Sequence, residues 1–286
     1  MADPLEQLRA ARTPEAGWGY RAGEPSRVEP TAWALLAFRA HGAPVPRDAV
    51  AALVDGQHAD GSWGGADGPD APWVTAVAVL ALRALGVAPE PCGRAETWLL
   101  EARSEQVVQP EGDRPVLNAA IVGWPWVGGC FGWVEPTAHA VTALRLARRR
   151  HPRLAEAIRF LNDRRCDGGG WNHGMPRVRD VDFPPYPNTT ALGLIALATP
   201  GARSKTTERD LAVLLGFLRE PLGLFDLAWA ALALDANGCD PAPFLGRLGT
   251  AERSDGGWRE NVHAVALAAL ARALPKGHNP FRLEAA

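Results

Sequence analysis

Apolar positions along the chain fall into two alternating patterns. Six segments are apolar nearly all round: TAWALLAFRAHG, TAVAVLALRALG, TAHAVTALRLARRR, TALGLIALATPG, LAWAALALDANG and HAVALAALARALP. Four open on Thr-Ala and several stop at Gly or Pro, as helices do. An all-round apolar helix is one buried on every side. Between them lie segments with one apolar stripe and one charged face: PLEQLRAAR, RDAVAALVDGQ, GRAETWLLEARSEQ, PRLAEAIRFLNDRR, TTERDLAVLLGFLRE and PAPFLGRLGTAE. That periodicity predicts amphipathic helices with a wet outer side.

A glycine-rich turn ending in Trp separates each amphipathic segment from the apolar one that follows. It reads AGWGY (Trp18), DGSWGG (Trp63), GCFGWV (Trp133), DGGGWN (Trp171) and DGGWRE (Trp258), with PLGLF placing Phe225 at the equivalent point. Six outer helix–turn–inner helix units predict an all-α fold. An open helical array would expose one face of each inner helix, and these faces are too apolar for that. The expectation is a closed (α/α)6 toroid of six helical hairpins, one domain over residues 1–286. The connection Val107–Trp133 is long and carries three tryptophans, and loops of that length inside compact domains are often functional.

The net charge of −2 leaves no basic footprint for nucleic acid. No apolar run approaches a membrane span and the N-terminus lacks a signal-peptide core, so a soluble cytoplasmic protein is expected. Cys92, Cys130, Cys166 and Cys239 form no C-x-x-C pair, which fits a reducing setting.

Leu53–Trp63, LVDGQHADGSW, resembles the repeat of squalene–hopene cyclases, and FLNDRRCDGGGW and LGTAERSDGGW are similar with Arg164 and Glu252 in place of the Gln. The resemblance extends over nearly the whole chain. It implies the superfamily of triterpene cyclases and protein prenyltransferase β-subunits, in its bacterial members: an α/α toroid whose cavity takes an isoprenoid. Trp63, Trp171 and Trp258 are then expected to stack between neighbouring outer helices.

The chemistry of that superfamily is only partly written here. Its cyclases protonate an alkene with the central acid of an Asp-x-Asp-Asp-Thr-Ala segment. The matching stretch Tyr186–Ala191 is YPNTTA, with the amide Asn188 at the donor position, and the acids of DVDF (Asp180, Asp182) lie upstream in a Pro-rich loop. VEPTA, which occurs twice, puts Glu29 and Glu135 at the equivalent place in other repeats, a relocated acid. The prenyltransferase zinc set of Asp, Cys and His matches Asp226, Ala228 and His263; alanine is no ligand, so a divalent metal, Zn or Mg, would need His139 or Glu135 as replacement.

In VEPTA, Pro30 and Pro136 suit the first helical position and each Glu sits at the positive end of the helix dipole. Four residues on, along the same face, one copy carries Trp33 and the other His139. Parallel inner helices would gather Glu29, Glu135, Asn188, Asp226 and His263 at one mouth, with Trp33, His139 and Trp229 a turn deeper. A diphosphate would suit those N-termini, with Arg259, Arg177 or Arg179 nearby. Trp33, Trp73, Trp124, Trp126, Trp229 and Tyr186 are candidate aromatic lining for a cationic intermediate. Two functions remain open. One is an isoprenoid-processing enzyme, a cyclase or a prenyl transferase. The other is a non-catalytic toroid that binds a lipid, a peptide or a partner subunit. The Cys-Gly-Glu-Gln of complement-like thioester domains is missing.

Overall fold

A computed structural model describes residues 3–64, 71–107, 117–178, 181–254 and 261–283, the side chains of 252–254 excepted. These residues form twelve α-helices: α1 Pro4–Ala10, α2 Val28–Ala40, α3 Arg47–Asp55, α4 Pro72–Leu85, α5 Pro89–Glu101, α6 Val134–Leu146, α7 Pro152–Asp163, α8 Pro187–Leu197, α9 Lys205–Gly216, α10 Leu224–Ala236, α11 Ala242–Ser254 and α12 Val262–Arg272. One two-stranded antiparallel ribbon, Arg177–Val178 with Val181–Asp182, interrupts the helical order. None of the helices is long and apolar enough to cross a membrane.

The even-numbered helices are the apolar ones. Each packs on the next even-numbered helix, and α12 packs back on α2, so their contacts form a closed cycle. Their alanines are almost all without solvent contact, Ala32, Ala34 and Ala37 in α2 among them; small side chains let helices approach closely. Neighbouring members run parallel. At one rim Val262 N–H donates to Tyr20 O, beside the start of α2, and Val134 N–H donates to His173 O, beside the start of α8. At the other, the His41 ring meets Ala269 O at 2.8 Å and Arg145 donates to Ala196 O.

The odd-numbered helices pack outside, chiefly on the even-numbered helix that precedes them: α3 on α2, α5 on α4, α7 on α6, α9 on α8, α11 on α10, and α1 on α12. Five of these pairs are joined by short links, as short helix–helix connections favour antiparallel neighbours, the sixth brings α1 to α12 from the far end of the sequence, and the Gly/Trp turn carries the chain from one pair to the next.

The turn has one construction repeated four times. The indole N–H of Trp18, Trp63, Trp124 and Trp171 donates to the carbonyl of Leu8, Leu53, Leu99 and Leu161 on the preceding outer helix. The backbone N–H of the same Trp donates to Thr31, Thr75, Thr137 and Thr190 on the following inner helix. All four rings are fully buried. Gly193 on α8 is required by this packing, since a Cβ there would come within 2.7 Å of the Trp171 ring. Arg153 of α7 lies 4.3 Å over the Trp124 ring, tying the turn to the next outer helix.

Two expectations are corrected here. The third turn uses Trp124, not Trp133, which is the N-cap of α6 and stacks on Phe131 at 5.1 Å. Phe225 does not occupy a Trp-turn position: it lies in the first turn of α10 with its ring 5.2 Å from His263. Trp258, Arg259, Arg179 and Asp180 lie outside the described residues.

Candidate functional site

At the rim where the inner helices begin, α2 and α6 start at Val28 and Val134. Glu29 and Glu135 are thus second residues of their helices, and Pro30 and Pro136 third rather than first. Proline is still without cost there, because the first four helical N–H groups have no intrahelical acceptor. The dipole alone favours a carboxylate at this position by ~0.3–1 kcal/mol. Glu29 has more specific partners. It accepts from Tyr20 Oη–H at 2.7 Å and from Trp33 Nε1–H at 3.3 Å, and it is 8% exposed.

His263, at the start of α12, places Nε2 3.6 Å from Glu29 Oε1. That is beyond hydrogen-bond length, and this buried nitrogen has no hydrogen-bond partner among the described residues. Burial pushes the His263 pKa down, against the pull of Glu29. Across the rim, burial first and the like charge of Glu29 second push the Glu135 carboxyl up to about 7. Burial also raises Asp226 above the ordinary carboxylate range, offset in part by the Gly223 backbone N–H.

One turn deeper, the rings of Trp33, His139 and Trp229 meet on the axis. Trp33 lies 5.9 Å from His139 and 5.4 Å edge-on from Trp229, and His139 lies 5.9 Å from Trp229. Phe281, from the segment after α12, completes the cluster at 5.9 Å from Trp33 and 5.4 Å from Trp229. Burial, and secondarily His263, hold the His139 pKa down at about 3, so that ring is neutral at physiological pH. The Trp229 indole N–H has no acceptor among the described residues, a cost of ~1–3 kcal/mol for a buried donor.

The sequence-predicted residues therefore divide. Glu29, Glu135, Trp33, His139, Trp229 and His263 belong to one rim and the aromatic cluster beneath it. Asp226 sits in the first turn of α10 at that rim, beside the Gly223 backbone N–H. Trp73 and Trp126 form a separate half-buried pair, edge-on at 5.4 Å. Trp124 is taken up by its turn. Tyr186 is exposed and touches His173 at 5.1 Å, and Asn188 is half-buried next to it. Asp182 is paired with Arg177 on the exposed ribbon, which excludes it as an acid facing the axis. Tyr20, Phe225 and Phe281 join this rim and its aromatic cluster although the repeat pattern does not mark them.

The donor set does not fit a zinc centre. Ala228 is fully buried at the position of the missing thiolate. His139 is enclosed by indoles, and among the described residues no three His, Cys, Asp or Glu side chains converge. What the arrangement provides is a protonatable carboxyl at neutral pH, a second carboxylate anchored by a phenol and an indole, and aromatic faces below both.

No family model matches the sequence, and no curated protein matches it. Solved structures do. A protein from Actinoplanes is 18% identical with a TM-score of 0.62, over 96% of this chain and 100% of that one. The type II terpene cyclase MstE from Scytonema is 14% identical, also with a TM-score of 0.62, over 96% of this chain and 97% of the cyclase. Alpha-2-macroglobulin from Salmonella matches at 16% identity and a TM-score of 0.53, over 94% of this chain but 17% of its own length. At these identities the likeness is one of fold.

Proposed function

We propose that this chain is a single-domain (α/α)6 toroid of six helix pairs that processes an isoprenoid, with Glu135 as the acid that protonates a carbon–carbon double bond. The observation that carries the reading is the Glu135 carboxyl, raised to about 7 at a rim shared with Glu29 and His263. A general acid works best with a pKa near the operating pH, and an ordinary surface glutamate would be ionised at pH 7. The proton goes from Glu135 to the alkene, leaving a tertiary carbocation that the faces of Trp33 and Trp229 stabilise. Glu29, held by Tyr20 and Trp33, stays an acceptor. The cyclic contacts of the inner helices support the toroid, and the fold's likeness to MstE, whose structures include a complex with geranylgeranyl dihydroxybenzoate as substrate, supports the substrate class.

The test is incubation of the purified chain with farnesyl and geranylgeranyl diphosphate. Conversion to a cyclised product by the wild type, lost in Glu135→Gln, is the expected result; unaltered substrate with both proteins would refute it. A second reading, a non-catalytic toroid that holds a lipid or partner, is favoured by one observation: Trp33, His139, Trp229 and Phe281 fill the axis. It predicts binding without conversion.

A further inference from the structure

The rim opposite Glu135, where the inner helices end, has a different make-up. Arg39, Arg83, Arg145 and Arg272 stand in the last turns of α2, α4, α6 and α12, where cations offset the negative dipole ends. A strap, residues 277–283, crosses this rim. Most of it is exposed or half-exposed, but Phe281 is 1% exposed and points down the axis onto Trp33 and Trp229. Beside the Phe281 ring, Asn279 fastens the strap: its Nδ2–H donates to Leu232 O at 3.0 Å and to Asp235 Oδ2 at 2.9 Å. Asp235 is thereby occupied.

Beside the strap lies a cavity of about 720 Å³ lined by Arg203, Asn237, Gly277, Asn279, Arg282 and others. Arg203 comes from the α8–α9 link and Arg282 from the strap itself. Both are exposed, and among the described residues neither pairs with a carboxylate; the Arg203 side chain meets the Cys239 sulfur at 3.0 Å. Two guanidinium groups facing one hollow are a setting for an anion. Seven residues of α10 separate Trp229 from Ala236 at the rim, a depth of about 10 Å at helical rise. At the bottom, the Trp229 indole N–H has no acceptor among the described residues and is free to meet a ligand atom.

We propose that the far-rim cavity is the head-group site for an amphiphile with an anionic head and an apolar chain. Arg203 and Arg282 hold the head, and the chain takes the place of Phe281 against Trp33 and Trp229. The strap is then both wall of the head site and stopper of the chamber. This rests on the reading that the axial chamber takes an isoprenoid chain. It adds the end from which the chain enters and the charge of its head.

Calorimetric titration of the full chain tests it, with farnesyl diphosphate, farnesol, inorganic pyrophosphate and palmitate as probes. Farnesyl diphosphate is expected to bind at least about tenfold more tightly than farnesol. In Arg203→Gln/Arg282→Gln that advantage disappears while farnesol is unaffected. Phe281→Ala, or Phe281→Leu if the alanine variant does not fold, tightens both farnesyl ligands several-fold and leaves pyrophosphate unchanged. Palmitate binding with the same arginine dependence identifies a carboxylate head as sufficient; its failure beside a binding diphosphate identifies the diphosphate. Equal binding of farnesyl diphosphate by the wild type and the double arginine variant, or binding by neither amphiphile, overturns the proposal. Arginine-dependent binding without turnover upholds the head site and refutes the enzyme; turnover with an unchanged KM in the arginine variant does the reverse.

Discussion

Tyr20 and Glu29, both of the first repeat, are joined by a 2.7 Å hydrogen bond beside the seam with the last repeat. Tyr20 also accepts, through its carbonyl, the first N–H of α12. The phenol is pushed above its ordinary pKa by burial and by Glu29, so it stays a donor throughout the working pH range. Tyr20→Phe leaves one oxygen of a buried carboxylate short of a partner. The expected cost is about 1.5–3 kcal/mol, as for hydrogen bonds to charged groups, read as a lowered urea midpoint at unchanged m-value.

Trp63 is held at both ends, by Leu53 O on α3 and by Thr75 on α4. Trp63→Phe removes the indole N–H and strands the buried Leu53 carbonyl. It also leaves a void where the larger ring was. A loss of about 2–4 kcal/mol is expected. Thr75→Val, which keeps the shape and removes the hydroxyl, is expected to cost about 1–3 kcal/mol. Chemical denaturation of each variant reads the two losses, which come from separate bonds because the Thr75 hydroxyl pairs with the Trp63 backbone that Trp63→Phe keeps.

Glu96 on α5 is wholly buried between Arg83 of α4, at 2.6 Å, and Arg149 beyond α6, at 2.7 Å. Removing one member of a buried charge set leaves the others uncompensated. Both arginines are partly exposed and can turn to water, which moderates the loss. Glu96→Ala is therefore expected to cost about 2–4 kcal/mol, whereas Arg149→Ala, taking the more exposed partner, costs about 1 kcal/mol. Thermal melts of both variants check the order.

The Glu135 pKa of about 7 lies above the ordinary value of 4.5, so this group favours the fold when protonated. Its contribution is full below about pH 4.5 and is lost as pH rises through 7. The loss is up to about 3 kcal/mol by pH 8. Glu135→Gln should match the wild type in stability near pH 4.5 and exceed it at pH 8. Melting temperatures across that range measure the difference. Turnover that needs the protonated acid should fall in the same window.

Much of this was legible from residue pattern. The twelve helices follow from the alternation of all-round apolar and one-stripe segments; α2, α4, α6 and α8 begin close to their Thr-Ala openings, and α2, α4 and α10 end close to Gly stops. The pairing of Glu29 with Trp33 on one helix face followed from their four-residue spacing. The third turn did not, because the Leu-to-Trp interval is ten residues at Trp18, Trp63 and Trp171 but twenty-five at Trp124. The insertion hid the true partner and promoted Trp133. Phe281 was illegible for a different reason: it lies outside any periodic segment, and only the closed cycle of helices brings it to Trp33, 248 residues earlier in the chain. Glu135 could be placed at a helix start from sequence, but its raised pKa depends on burial and on Glu29, a neighbour across the rim.

The most direct measurement is turnover of geranylgeranyl diphosphate in deuterated water, with the product examined by mass spectrometry. If Glu135 protonates the alkene, the wild type yields a cyclised product carrying one deuterium from solvent, and Glu135→Gln yields none. Product without deuterium, or labelled product from Glu135→Gln at the wild-type rate, would contradict the account.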